Sequence, residues 1–172
     1  EHRPALVVHA AAQSKPDPCE ADPAGTRAVN VAGTAALAAA AAAAGARFAF
    51  FSSDLVHDGR AFPYDDGVAP SPMSEYGRQK AEAEAAVLAA GGDPVVLRMA
   101  LCYGFGRPGA PRTFADEMRE SMAAGRPVRV FTDQRRSALW VEDAAELFAR
   151  LAARPGLPEG REVGWVLWLE GN

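Results

Sequence analysis

Continuous apolar runs alternate along this chain with alanine-rich segments bounded by capping residues. The apolar runs are short and predict buried strands, which we place at residues 5–12, 47–52 and 94–101. Asp22 with Pro23 at the start and Gly45 at the end predict a helix over 23–44. Ser74 and the glycines after Ala90 predict a second helix over 74–90. This alternation predicts an α/β fold with a parallel, doubly wound sheet and right-handed crossovers.

The pattern changes after residue 103. We expect helices over 113–124 and 141–153, a short strand over 127–131, and an edge or terminal strand in the last apolar run, V-G-W-V-L-W-L. Residues 13–22 are polar and broken by prolines, which predicts a loop. We therefore divide the chain into a sheet domain, residues 1–103, and a smaller part, residues 104–172, interwoven with it.

Candidate chemistry is concentrated where the second strand ends and the 74–90 helix begins. Tyr76 and Lys80 are four residues apart and share one helix face, roughly 6 Å from each other. A nearby cation stabilises phenolate, so Lys80 is predicted to lower the pKa of Tyr76 from about 10 towards about 7. Tyr76 could then act as a general acid/base, and Ser53 could donate a hydrogen bond to a substrate carbonyl.

Composition supports a special role for Lys80. The chain has 18 Lys and Arg residues, and only Lys15 and Lys80 are lysines. An ammonium is a compact point charge, whereas the guanidinium that this chain otherwise prefers is a planar fork. An ordinary pair on a helix surface remains the alternative for Tyr76 and Lys80 taken alone.

Charge and cysteine content exclude several classes of function. A net charge of −4 and a pI of about 5.4 argue against a nucleic-acid-binding surface. Two cysteines make no disulfide framework, and the scattered histidines fit no zinc spacing, so no metal site is predicted. The alanine run 35–44 is too short and too weakly apolar to span a membrane, and no signal segment is evident, which favours the cytoplasm.

Two polar residues lie within otherwise apolar segments. His9 lies inside the first apolar run and is predicted to be a core histidine. Asn30 is a mediocre helix former inside the 23–44 helix, where it either has a buried hydrogen-bonding role or faces solvent.

Gly104-Phe-Gly106-Arg-Pro-Gly109 matches the spacing G-x-G-x-x-G. Prolines at 108 and 111 prevent a helix from beginning directly on these glycines, as dinucleotide binding would require. We predict a flexible loop beside the site.

Six segments, in this order and spacing, resemble the extended short-chain dehydrogenase/reductases, and most closely the dTDP-4-dehydrorhamnose reductase-like group. They are V-V-H-A-A-A, N-V-A-G-T, S-S-D-L-V-H-D-G, P-S-P-M-S-E-Y-G-R-Q-K-A-E, L-R-M-A-L-C-Y-G and V-E-D-A-A. The resemblance implies a Rossmann-like fold whose glycine-rich phosphate loop would precede residue 5. Because the sequence begins at Glu1, the sheet is predicted to be N-terminally truncated.

The resemblance also implies an activity and a set of site residues. The implied reaction is reduction of a keto group on a nucleotide-sugar with NADP or NAD, with Ser53, Tyr76 and Lys80 as catalytic residues. Substrate contacts are implied for Asp54, Val56 and Arg135. Implied cofactor contacts are Ala10, Ala11, Ala12, Asn30, Ser52, Tyr76, Lys80, Met99, Ala100 and Leu101.

Alternatives remain within this resemblance. Leu55 and His57 replace the tyrosine and phenylalanine of the group's S-x-D-Y-V-F-D-G pattern. Asp54 follows Ser53, as acidic residues do in related dehydratases, so an epimerase or dehydratase also fits. A non-catalytic regulatory subunit of the kind that accompanies methionine adenosyltransferase is a third reading. Members of the family commonly dimerise, and we predict a homodimer through helices 23–44 and 74–90.

Overall fold

The computed structural model describes residues 3–60, 64–65, 67–107, 109, 112–130, 137–153 and 165–169. The chain divides into two compact units. The first runs to Met99 and includes the last strand as far as Trp168, and the second begins at Ala100 and contains the helices that follow.

A four-stranded sheet forms the centre of the first unit. Its strands are β1 (Leu6–His9), β2 (Arg47–Ser53), β3 (Pro94–Met99) and β6 (Trp165–Leu169), in the order β1-β2-β3-β6. β1, β2 and β3 are parallel, and β2 and β3 are almost wholly buried, as their continuous apolar sequences predict. β6 lies at the edge of the sheet, where the last apolar run was expected.

The segment predicted as one helix over 23–44 is divided. α2 (Pro23–Arg27) leads into a π-helical turn (Ala28–Gly33), which continues as α3 (Thr34–Ala43). Asp22 caps the start as predicted, with its carboxylate accepting from the backbone N–H of Gly25 at 2.9 Å. The expected loop at 13–22 instead contains a short helix, α1 (Pro16–Ala21), which proline at its first position favours.

α4 (Glu75–Ala89) agrees closely with the predicted helix. The hydroxyl of its N-cap, Ser74, accepts from the backbone N–H of Gly77 at 3.1 Å. α3 and α4 pack on each other and on β2 around a core of alanines and phenylalanines, including Ala41, Phe50 and Ala83. Small side chains allow the two helices to approach closely.

The second unit has two further helices and a pair of short strands. They are β4 (Cys102–Tyr103), α5 (Phe114–Ala123), β5 (Leu139–Trp140) and α6 (Val141–Ala153). Both helices were predicted, but the parallel pairing of β4 with β5 was not. The predicted strand over 127–131 is wrong for residues 127–130, which form no strand, and residue 131 lies outside the described residues.

The architecture confirms the predicted α/β class with a parallel sheet. Within the described part of the chain, no helix has both the length and the apolar character needed to cross a bilayer.

Candidate active site

The carboxyl ends of the parallel strands bring the candidate residues to one edge of the sheet. His9 ends β1, Ser53 ends β2 and Met99 ends β3, and Ser53 is directly opposite Met99 in the register. Ala10 and Ala11 follow β1 as small, exposed residues, which permits a ligand to approach their backbone. Ligands of open α/β sheets bind at this edge.

Tyr76 and Lys80 are both buried on the face of α4 that packs against β2. Tyr76 is 7% exposed and Lys80 is 4% exposed. The Lys80 ammonium donates to the backbone carbonyl of Phe51 at 2.7 Å and lies 4.5 Å from the centre of the Phe50 ring. Its distance from the centre of the Tyr76 ring is 5.9 Å. The i, i+4 spacing therefore brings phenol and ammonium together beneath the end of β2, and the alternative of a surface pair is excluded.

Burial shifts these two groups in opposite senses. It raises the pKa of Tyr76 to about 12, and the side-chain hydrogen bond with Ser53 opposes this only in part. It lowers the pKa of Lys80 to about 8, because an ammonium loses hydration inside the unit. The expectation that Lys80 lowers the pKa of Tyr76 towards 7 is wrong in this structure, since loss of hydration around the phenol raises that pKa instead.

Gly77 allows Ser53 and Tyr76 to meet. The 3₁₀ turn Asp54–Val56 follows Ser53, and the Ser53 hydroxyl caps it by accepting from the backbone N–H of Leu55 at 3.2 Å. A Cβ on Gly77 would lie 2.2 Å from the carbonyl oxygen of Leu55, a distance that no side chain tolerates. The first turn of α4 can approach this turn only because residue 77 has no side chain.

Asn30 holds the segment after β1. It is 1% exposed, its side-chain oxygen accepts from the backbone N–H of Gln13 at 2.8 Å, and its amide nitrogen donates to the carbonyl of Gln13 at 3.1 Å. The amide nitrogen also donates to the side chain of Gln79 at 2.8 Å. Of the two readings of Asn30, the buried hydrogen-bonding role is confirmed. Its side chain faces protein groups, so its predicted contact with a cofactor is replaced by support of this loop.

A buried polar cluster beside the site was not predicted. Arg98 and Glu84, each 3% exposed, form an ion pair at 2.8 Å, and the Ser52 hydroxyl donates to Glu84 at 2.5 Å. Arg98 also lies 3.2 Å from Nε2 of His57, whose ring stacks on Tyr64. Burial, then the charge of Arg98, lowers the pKa of His57. The sequence features that could have indicated this cluster are two charged residues in largely apolar stretches: Glu84 among the alanines of α4 and Arg98 within β3.

Several other predicted residues have different surroundings from those expected. The side chain of Val56 is fully buried, which excludes the predicted substrate contact through that side chain. The hydroxyl of Ser52 is directed at Glu84. Arg135 lies outside the described residues. Ala100 and Leu101 belong to the second unit, where the carbonyl of Leu101 accepts from the backbone N–H of Leu139 at 2.9 Å.

His9 is buried as predicted. Its Nε2 lies 2.9 Å from the hydroxyl of Thr34, and its ring packs on Phe48 and Phe50. Burial, then the charge of Lys80, lowers the pKa of His9, which keeps it neutral in the core.

The glycine-rich segment of the second unit forms no helix start. Its described residues, 104–107 and 109, precede α5, which begins only at Phe114. The carboxylate of Asp116 accepts from the backbone N–H of Gly106 at 2.8 Å, and the hydroxyl of Thr113 donates to the carbonyl of Gly104 at 2.6 Å. The segment is thus a loop held on the capping box of α5, and no helix begins on its glycines.

The site has donor groups suited to a hydroxyl-bearing ligand. An ammonium has three N–H donors, and one hydrogen bond from Lys80 is found among the described residues. Lys80 and the exposed backbone after β1 could hold the ribose of the nicotinamide cofactor that the sequence resemblance implies. No group of three or more histidine, cysteine, aspartate or glutamate side chains in the described ranges could hold a metal ion.

A parallel sheet flanked by helices, with a buried serine at the end of β2 and buried tyrosine and lysine side chains on the helix beside it, defines a Rossmann-like α/β protein. Comparison with known families narrows this class: the model of the RmlD substrate binding domain matches residues 1–163. The chain belongs to that family, as its sequence motifs indicated.

Several curated proteins and solved structures are also similar to this chain. A probable dTDP-4,6-dihydroxy-2-methyloxan-3-one 4-ketoreductase of Streptomyces antibioticus is 35% identical over 159 residues, 91% of this chain and 52% of that protein. Methionine adenosyltransferase 2 subunit beta of Rattus norvegicus is 39% identical over 104 residues, 60% of this chain and 31% of that protein. The Bordetella bronchiseptica enzyme WbmG, solved in complex with NAD and UDP, gives a TM-score of 0.76 at 28% identity, covering 98% of this chain and 51% of that one. The chain spans about half the length of the ketoreductase and of WbmG, and about a third of the adenosyltransferase subunit.

Proposed function

We propose that the intact protein is an NAD(P)-dependent reductase of a keto group on a nucleotide-sugar. The observation that carries the proposal is the burial of Tyr76 and Lys80 beneath the end of the strand that bears Ser53. Family membership and the name of the Streptomyces relative support reduction of a keto-sugar. The NAD and UDP bound to WbmG support a nicotinamide cofactor and a nucleotide-linked substrate.

Each of the three side chains has a defined task in such a reduction. The Ser53 hydroxyl donates a hydrogen bond to the substrate carbonyl and polarises it. Tyr76 gives its proton to the carbonyl oxygen as negative charge develops there, and its raised pKa keeps it protonated at neutral pH. Lys80 binds ribose hydroxyls and stabilises the phenolate that remains. A reduced nicotinamide held at this site would supply the hydride that the carbonyl carbon accepts.

The test is the substitution Tyr76→Phe in the intact protein. Loss of the phenol removes the proton donor, so kcat should fall by at least about 100-fold while the Kd for NADPH or NADH stays within about threefold. Tyr64→Phe is the matched control, because Tyr64 donates to Asp58 at 2.6 Å and has no assigned role in the chemistry. Undiminished turnover by Tyr76→Phe would contradict the proposal.

Two alternative functions have specific support. The likeness to methionine adenosyltransferase 2 subunit beta favours a non-catalytic regulatory subunit, which would copurify with a catalytic partner and reduce no keto-sugar. Asp54, whose carboxylate accepts from the Ser53 hydroxyl at 3.1 Å, favours an epimerase or dehydratase. An epimerase or a dehydratase would convert a nucleotide-sugar without net consumption of NADPH.

A further inference from the structure

Gln79 is the residue of α4 that precedes Lys80, and it is fully buried. Its side-chain oxygen accepts from the amide of Asn30 at 2.8 Å. Asn30 in turn holds both backbone groups of Gln13, at the end of the segment Ala10–Ala12. A single chain of side-chain hydrogen bonds therefore joins the helix of Tyr76 and Lys80 to the loop that follows β1.

The backbone N–H of Gln13 fixes the orientation of both side-chain amides in this series of hydrogen bonds. The N–H of Gln13 can only donate, so Asn30 must present its oxygen to Gln13 and its NH₂ group to Gln79. Gln79 must then present its oxygen to Asn30. Two side-chain amides that could each be reversed in isolation are left with one arrangement.

The NH₂ group of Gln79 is anchored on its other side. It donates to the hydroxyl of Thr26 at 3.0 Å, to the carbonyl of Pro23 at 3.2 Å and to the carboxylate of Glu75 at 3.2 Å. Both polar atoms of the Gln79 side chain therefore have hydrogen-bond partners, which fixes the position of the oxygen that faces Asn30. An apolar residue of the same size would fill the space but could not fix this geometry.

We propose that Gln79 is a positioning residue of the active site, which sets the location of the segment Ala10–Gln13 relative to Tyr76 and Lys80. This inference rests on the proposed function, because the segment matters as the backbone that a nicotinamide dinucleotide contacts. Gln79 touches neither cofactor nor substrate and acts through Asn30. The Y-G-R-Q-K segment thus contributes a third functional side chain between the tyrosine and the lysine.

Two substitutions of Gln79 separate positioning from simple core stability. Gln79→Met removes the oxygen that faces Asn30, whereas Gln79→Glu keeps an acceptor there but loses the donors to Thr26, Pro23 and the Glu75 carboxylate. Both variants should unfold at lower temperature than the wild type. Only Gln79→Met should raise the Kd for the cofactor, by about tenfold, because only that variant frees the loop. Gln79→Glu should remain within about threefold of the wild type.

The experiment is a fluorescence titration of the intact protein with NADPH and, separately, with NADH, well below the melting temperature of each variant. Arg78→Met, on the exposed face of the same helix, is the control and should bind as the wild type does. If Gln79→Met does not fold, Asn30→Asp tests the same series of hydrogen bonds one step nearer the loop, since it retains the acceptor for the N–H of Gln13 and loses the donors to Gln79 and to the carbonyl of Gln13. That variant should also bind about tenfold more weakly.

The outcomes distinguish this inference from the function on which it rests. Wild-type affinity in Gln79→Met, or equal weakening in the Met and Glu variants, would overturn the positioning role while leaving the reductase proposal intact. Failure of the wild-type protein to bind either dinucleotide would overturn the proposed function and the inference with it. A selective loss in Gln79→Met supports both.

Discussion

Burial acts in opposite directions on the two ionisable residues of the proposed centre. It favours the neutral phenol of Tyr76, the form that can donate a proton, and it disfavours the ammonium of Lys80, the form that binds ribose hydroxyls. The carbonyl of Phe51 and the ring of Phe50 compensate Lys80 only in part. Burying a charged group costs hydration free energy, and a residue that is retained despite this cost is typical of a functional site.

Replacement of Lys80 should therefore stabilise the fold while removing activity. The pKa of Lys80 falls from 10.5 to about 8 on folding, so the unfolded chain binds more protons between those values and stability rises with pH there. Below about pH 8 the full cost, about 3 kcal/mol, is present. Lys80→Met should raise the free energy of unfolding by up to about that amount near pH 7, and the gain should shrink towards about pH 10.5.

Urea denaturation near neutral and near alkaline pH measures this difference. Lys15→Met is the matched control, because Lys15 is the other lysine and is exposed. An unchanged or lower stability of Lys80→Met at neutral pH would show that the buried ammonium is fully compensated.

The absence of a side chain at Gly77 gives a second prediction. Gly77→Ala should lower stability by about 1–3 kcal/mol, since its Cβ meets the carbonyl of Leu55, and should reduce kcat at least about tenfold by displacing Ser53 from Tyr76. Gly67→Ala is the control, with no atom within 4 Å of the added Cβ and an expected change below about 0.5 kcal/mol. Chemical denaturation and steady-state kinetics measure both, and equal behaviour of the two variants would refute the steric argument.

For individual residues, the sequence predicted which side chains are brought together but not how their pKa values are shifted. Spacing alone placed Tyr76 and Lys80 on one face, and the Ser pair placed Ser53 at a strand end. The sign of the Tyr76 shift depends on how many atoms of other segments surround the phenol, which spacing does not contain. The burial of Val56 and the link from Asn30 to Gln79, 49 residues apart, likewise depend on tertiary packing.

The buried ion pair between Glu84 and Arg98 joins two elements, α4 and β3. Because Ser52 also donates to Glu84, and Arg98 contacts His57, the pair fixes the helix of Tyr76 and Lys80 on the strands beneath it. Neither the helical nor the strand pattern reveals such a pair, since the pattern of one element does not show which residue of another element a charged side chain will meet. The division of the 23–44 helix was also unpredicted: the π-helical turn contains Asn30, whose side chain bonds to residues of other segments.

Breaking this pair should be costly. Arg98→Met leaves the carboxylate of Glu84 buried without its cation and should lower the free energy of unfolding by about 3–5 kcal/mol. Arg78→Met removes the exposed pair with Glu75 and should cost less than about 1 kcal/mol. Urea denaturation of both variants gives the comparison, and a loss below about 1 kcal/mol for Arg98→Met would mean that Glu84 finds another partner or a proton.

At the scale of the whole molecule, the chain divides into two compact units and belongs to the family whose model matches residues 1–163. Its assembly into a homodimer is a prediction. Motif order along the chain was sufficient to predict the α/β class and the family, since motifs are local in sequence. The pairing of β4 with β5 was missed because two-residue strands have no periodicity.

The predicted homodimer can be tested on the outer face of the 23–44 segment. Val29 and Leu37 are apolar residues of this segment that are 53% and 46% exposed. If this face is the interface, the intact protein should be dimeric by light scattering at micromolar concentration and Leu37→Glu should make it monomeric. Met122→Glu, at an exposed position of α5, should leave the dimer intact. A monomeric wild-type protein would contradict the prediction.

The proposed reaction at this site is a hydride transfer to a nucleotide-linked keto-sugar. The most direct measurement incubates the intact protein with a dTDP-4-keto-6-deoxy sugar and with NADPH or NADH deuterated at the transferable position, and analyses the sugar by mass spectrometry and NMR. We expect a sugar alcohol that carries deuterium on the former carbonyl carbon, and none from Tyr76→Phe. Conversion of the sugar without deuterium at that carbon, or equal incorporation by Tyr76→Phe, would contradict it.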